Sequence, residues 1–258
     1  MGVERAVILP GVNPECAFVP QSNEEVLGIA GEHGGRFIPF CNVDPRAMTN
    51  SPDAPLGDLL SYYRERGCPG VGEVCANLPF LDPLVQNLFE HVQASGMVLT
   101  FHIAPRIGRA YGLFDEIGLP QLERCLQKFP GLRFLGHSQP FWSEIGKLHS
   151  PADRNTYPKY GVEEGVVPVL MRRYPNLYGD LSAMSGYNAL ARDLEYAAGF
   201  LEEFQDRLLF GTDICAPETG TPLAGLLVDL RESGAIGDSV FEKVTRENAI
   251  DLLGIEGV

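Results

Sequence analysis

The chain has 258 residues, 45% hydrophobic and 21% charged, a globular composition with enough length for a full core and unlike that of a disordered or fibrous chain. Twenty Lys and Arg against 34 Asp and Glu leave a formal charge of -14, the wrong sign for gripping a phosphate backbone, so nucleic acid is not an expected partner. No apolar run nears the roughly 20 residues of a membrane span, and the amino-terminal apolar stretch is too short for a secretory signal. The six cysteines contain no CxxC pair; they read as reduced, mostly buried thiols of a cytoplasmic protein, with no structural zinc cluster.

Seven apolar runs predict strands: Arg5–Pro10, Arg36–Val43, Val71–Ala76, Met97–Ile103, Leu132–His137, Asn176–Leu181 and Arg207–Asp213. Near-continuous apolar character marks strands covered on both faces, as in a parallel sheet. Helical patterns lie between them. Ser22 with Glu25 forms a capping box. Leu56, Leu59, Leu60 and Tyr63 keep helical spacing up to a stop at Gly67, and Asp82-Pro83 opens a helix that closes at Gly96. Further helices are expected over Pro120–Phe129, Glu163–Tyr174, Asn188–Phe204 and Pro222–Ser233, and from Ser239 to Leu253. No linker, charge block or composition shift marks a second domain, so residues 1–258 read as one. Repeated strand-helix units suit a (β/α) barrel or a doubly wound sheet; neither GxGxxG nor GxxxxGK[ST] occurs, which favours an α/β TIM-like barrel.

A barrel carries its chemistry where strands run into the following loops. Glu73, His102, His137, Asp180 and Asp213 occupy such positions, and burying such groups costs several kcal/mol unless they are paired or metal-bound. His102 is a candidate metal ligand or a hydrogen-bonded core histidine. His137 is a candidate ligand or proton shuttle, with Trp142 beside it as a candidate substrate contact. Asp213 can bind metal and accept a proton from metal-bound water, or cap a helix. Glu73 is a metal ligand or, by preference, the ion-pair partner of Arg106. Arg106, Arg109 and Tyr111 are candidates to hold a carboxylate-bearing substrate. His33, His91 and His149 read as exposed and ordinary. No GxSxG elbow or cysteine nucleophile motif is present.

The ordered motifs FHIAP (101–105), GHSQPFW (136–142) and GTDI (211–214), with the ending NAIDLLG (248–254), resemble the amidohydrolase superfamily. The resemblance is strongest to the amidohydrolase-related branch that includes aminocarboxymuconate-semialdehyde and resorcylate decarboxylases. It implies a distorted (β/α)8 barrel with one or two divalent metals, zinc being the expected one. His102 then matches the metal histidine after strand five. His137 matches the catalytic base or second-metal ligand after strand six, and Asp213 the ligand or proton acceptor after strand eight.

The family's His-x-His of strand one has no match, and only seven βα units are found, so the first unit is expected to be absent. A catalytic zinc normally has three protein ligands; weak or no stoichiometric metal is therefore expected in this form. The sheet edges left open make a homodimer a reasonable expectation. The expected activity is metal-dependent hydrolysis or non-oxidative decarboxylation of a small substrate that carries a carboxylate. The alternative is a non-catalytic or truncated barrel that keeps the pocket without a full metal site.

Overall fold

The computed structural model describes residues 2–16, 18 and 20–255; residues 1, 17, 19 and 256–258, which include both ends of the expected 1–258 domain, lie outside the described residues. The chain divides into two compact units, Met1–Phe134 and Leu135–Val258.

In the amino-terminal unit, β1 (Ala6–Ile8) leads to α1 (Asn23–Glu32), and β2 (Phe37–Pro39) returns parallel to β1 with Ala6 opposite Phe37. The predicted capping box opens α1: Ser22 Oγ accepts from Glu25 N and Glu25 accepts from Ser22 N. Helix α2 (Leu56–Arg64) precedes β3 (Gly70–Val74). Helix α3 (Pro83–Ser95) starts at an Asp82 cap, whose side chain accepts from Leu84 N, and stops at Gly96, whose φ of 72° suits a residue without Cβ. Strand β4 (Val98–Ala104) runs parallel to β3 with Gly70 opposite Val98. The short β5 (Leu113–Phe114), unforeseen in the sequence, adds to the far end of β4. Helix α4 (Pro120–Lys128) follows, then β6 (Phe134–His137) begins at the junction of the units. Phe80, Phe89, Phe101 and Phe134 pack in a mostly edge-to-face cluster with centroids 5.2–6.3 Å apart. Each such buried ring contributes about 1.5–3 kcal/mol of hydrophobic stabilisation.

In the carboxyl-terminal unit, α5 (Gln139–Ser143) follows β6 directly, and α6 (Val166–Arg173) leads to β7 (Leu177–Asp180). Helices α7 (Ala183–Ala191) and α8 (Leu194–Glu203) precede β8 (Leu208–Leu209), which pairs in parallel with β7, Asp180 opposite Leu209. Helix α9 (Pro222–Glu232), α10 (Asp238–Glu242), a π turn over Lys243–Glu247 and α11 (Asn248–Leu253) complete it.

Several expected elements change, three of them for a cause visible in their hydrogen bonds. The helix expected over Asn188–Phe204 is two helices, because the Asp193 carboxylate accepts from Tyr196 N at 3.1 Å and from Val162 N at 2.9 Å, which breaks the ladder and caps α8. Helix α6 starts at Val166 rather than Glu163, since Glu163 O and Gly165 N bond Lys147 N and Ile145 O instead. Strand β8 ends early because Phe210 N bonds Val244 O, which leaves Asp213 in the loop beyond it. No helix among the described residues is long and apolar enough to cross a membrane.

Candidate active site

Strands β3 and β4 are buried at every position except two, Glu73 and His102. These meet: Glu73 Oε1 lies 2.9 Å from His102 Nδ1. A carboxylate accepts only, so this contact is satisfied by an Nδ1–H donor, the arrangement by which a carboxylate orients a metal-binding imidazole. The other Glu73 oxygen accepts from the Cys75 thiol at 3.4 Å. The Cys16 thiol and burial push Cys75 up, so it stays protonated and donates. The Asn42 amide donates to the Glu73 carbonyl at 2.7 Å, and Asn13 Oδ1 accepts from Cys75 N at 2.8 Å. The Tyr111 ring lies against the His102 imidazole, centroids 4.3 Å apart.

In the second unit, His137 ends β6 and is buried. Its Nδ1 lies 3.1 Å from Ser182 Oγ and 3.5 Å from Asp180 Oδ2. Asp180 ends β7. Its Oδ1 accepts from Ser182 N at 2.9 Å, and its carbonyl accepts from Trp142 Nε1 at 2.7 Å. Hydroxyl and carboxylate share one ring nitrogen, whereas a serine–histidine–aspartate relay needs them on opposite nitrogens. Ser182 is therefore not placed as a nucleophile. Two close approaches explain glycines here. A Cβ on Gly179 would lie 2.8 Å from Trp142, and one on Gly211 would lie 2.7 Å from Ser182 Cβ and 3.1 Å from Asp180 Oδ1. Ser138, Ala183 and Asp213, each just beyond a strand, have φ of 108°, 65° and 52°; such strain concentrates where surrounding structure dictates side-chain aim.

The sequence-level candidates fare differently. Glu73 pairs with His102 and not with Arg106, whose guanidinium instead donates to the carbonyls of Gly108 and Arg109 in its own exposed loop at 3.4 and 3.3 Å. Trp142, expected to touch substrate, is 1% exposed, packed on Phe141 and Phe200 with its N–H spent on Asp180. Tyr111 is about half exposed, and Asp213 is exposed in the loop after β8. His33 and His149 are exposed as expected, the latter stacked on Tyr160, while His91 is half-buried. The cysteines are free thiols, four of them buried. Ser182 is not among the sequence candidates, and Asp180 is noted there only as a strand-end carboxylate without a role. Asp180 showed the right signal, a carboxylate closing an apolar run. In the amino-terminal unit the Glu73–His102 pair offers a carboxylate and an imidazole, donors that could hold a metal ion; His137 belongs to the carboxyl-terminal unit.

Residues 6–255 match the amidohydrolase family. The chain belongs to that family. Solved structures resemble it in fold. An uncharacterised TIM-barrel protein from Bordetella bronchiseptica has a TM-score of 0.67 and 18% identity, over 98% of this chain and 78% of that one. The 5-carboxyvanillate decarboxylase from Sphingomonas paucimobilis has a TM-score of 0.56 and 18% identity, over 96% and 75%. A probable 2-pyrone-4,6-dicarboxylic acid hydrolase from Acinetobacter baumannii, solved with citric acid bound, has a TM-score of 0.60 and 13% identity, over 98% and 84%. No curated protein matches the sequence. The amidohydrolase chain thus has an α/β fold of parallel strands whose structural neighbours are TIM barrels.

Proposed function

We propose that this amidohydrolase is a metal-dependent hydrolase or non-oxidative decarboxylase of a small substrate bearing a carboxylate. The observation that carries the reading is the Glu73–His102 pair, a carboxylate fixing an imidazole across adjoining parallel strands. Oxygen and imidazole nitrogen donors suit zinc or manganese, so the residues present fit the divalent ion that the family implies. We assign His102, Asp213 and Glu73 as metal ligands, and His137 and Asp213 as the groups that move protons. A bound ion would polarise a substrate oxygen or lower the pKa of a water.

The chain's own residues do the rest. Glu73 keeps the His102 ring turned so that Nε2 presents its lone pair. His137, held at Nδ1, gives or takes a proton at Nε2. Tyr111, half-exposed beside His102, offers a ring face to a planar acid. Arg106 holds substrate only if its loop releases the guanidinium from the Gly108 and Arg109 carbonyls. The acidic formal charge of -14 makes a compensating cation useful for an anionic substrate.

The test is elemental analysis followed by turnover assays. Protein loaded with zinc or manganese is given hydroxylated benzoates, read by carbon dioxide release, and pyrone or lactone carboxylates, read by ring opening. Turnover lost in both His137→Ala and Asp213→Asn supports the reading. Full activity in both variants overturns the site assignment. A loaded protein inert to every compound would favour the non-catalytic barrel.

A further inference from the structure

We propose that Asp180 and Ser182 are positioning residues that lock His137 in its Nδ1–H tautomer, which makes Nε2 its working nitrogen. The inference deepens the proposed role of His137, but its physical content stands without any substrate. His137 is 6% exposed, so bulk water cannot replace partners at its ring. The Nδ1 atom faces Ser182 Oγ at 3.1 Å and Asp180 Oδ2 at 3.5 Å. A carboxylate accepts only and a hydroxyl can accept, so both neighbours are satisfied together when the proton sits on Nδ1.

The carboxylate is itself fixed. Its Oδ1 accepts the Ser182 N–H at 2.9 Å, and the carbonyl of the same residue accepts the buried Trp142 indole N–H at 2.7 Å. Gly211 closes the clamp from the other side, since any Cβ there would come within 3.1 Å of Asp180 Oδ1. Three conspicuous features of the sequence thereby acquire one purpose: the aspartate ending β7, the tryptophan after His137, and the glycine before Thr212-Asp213. Each restrains the imidazole of His137 directly or through its partner.

The experiment is a long-range proton–nitrogen NMR correlation on protein labelled with nitrogen-15 histidine, at about pH 8–9, above the ordinary imidazole range. His137→Gln identifies the His137 signals by their loss. The wild type is expected to show His137 as the Nδ1–H tautomer. Asp180→Asn supplies an amide N–H to the same nitrogen and should shift the tautomer ratio by roughly tenfold or more toward Nε2–H. Asp180→Glu, which keeps a carboxylate, should restore much of it, and Ser182→Ala should shift it less. The signals of the other four histidines and far-ultraviolet circular dichroism report whether each variant keeps its fold. Wild-type His137 found as Nε2–H overturns the proposal even if every variant misfolds. A folded Asp180→Asn with an unchanged ratio overturns it too. Absence of metal binding or turnover, with the tautomer as expected, would count against the proposed function and leave the clamp standing.

Discussion

Glu73 Oε1 and His102 Nδ1 meet at 2.9 Å across the parallel pair β3–β4. The pair joins the only two positions of those strands that escape full burial. The expected consequence is a metal affinity sensitive to the carboxylate beside the imidazole. Glu73→Gln should weaken zinc or manganese binding by about 10-fold or more, since it removes a proposed ligand charge and the carboxylate that fixes the His102 ring. His102→Ala should abolish it. Isothermal titration of metal-stripped protein measures both, and a Glu73→Gln affinity within twofold of wild type would refute the pairing's role.

Arg154 Nε lies 2.7 Å from Glu144 Oε1, and both side chains are 4% exposed. Removing one member leaves an uncompensated buried charge. Arg154→Ala is expected to cost about 3–5 kcal/mol in urea unfolding. The double variant Glu144→Leu with Arg154→Met should recover most of that. If the single and double variants are equally unstable, packing rather than charge dominates there.

Asp115 is buried at the start of α4, where its carboxylate accepts from the backbone N–H groups of Glu116, Gln121 and Leu122. Burial pushes it up to about 7, against the pull of those three donors. Between the ordinary carboxyl range and pH 7 the folded chain therefore keeps a proton that the unfolded chain has lost. This contribution is fully present below the unfolded pKa and fades as pH rises through about 7. Between pH 4 and pH 8 the loss should be on the order of 1–4 kcal/mol. Urea midpoints measured across that range should lose this part of their slope in Asp115→Asn; an unaltered slope would count against it.

Asp193 joins two segments by capping α8 at Tyr196 N and holding Val162 N. Those N–H bonds hold its carboxyl below the ordinary range, so its contribution is present above the unfolded pKa and lost as pH falls through the lower folded value. Asp193→Ala should destabilise by about 1–2 kcal/mol at neutral pH, as loss of a helix cap does, and less in acid. Equal destabilisation at pH 3 and pH 7 would rule out a charge-assisted cap.

The strands of the fold were legible because a doubly covered strand must be apolar almost throughout, and the seven runs stand out against polar helix faces. His102 and Glu73 were legible for the same reason, as polar exceptions in β4 and β3. Their partnership was not, since Arg106 is also near His102 in sequence and only coordinates show its guanidinium satisfied by its own loop. Trp142 misled because an indole serves equally as ligand platform or core filler; burial against Phe141 and Phe200 decides for the core. Asp180 and Ser182 act through His137, and the hydroxyl contact spans 45 residues of chain, a pairing no local pattern announces.

Cys215 is exposed, two residues beyond Asp213, while four of the other five thiols are buried and Cys16 is half-covered. Selective alkylation at Cys215 would therefore attach a fluorescent or spin reporter beside a proposed ligand without any engineered cysteine. Titrating metal or candidate acids against that label turns the loop after β8 into its own binding sensor.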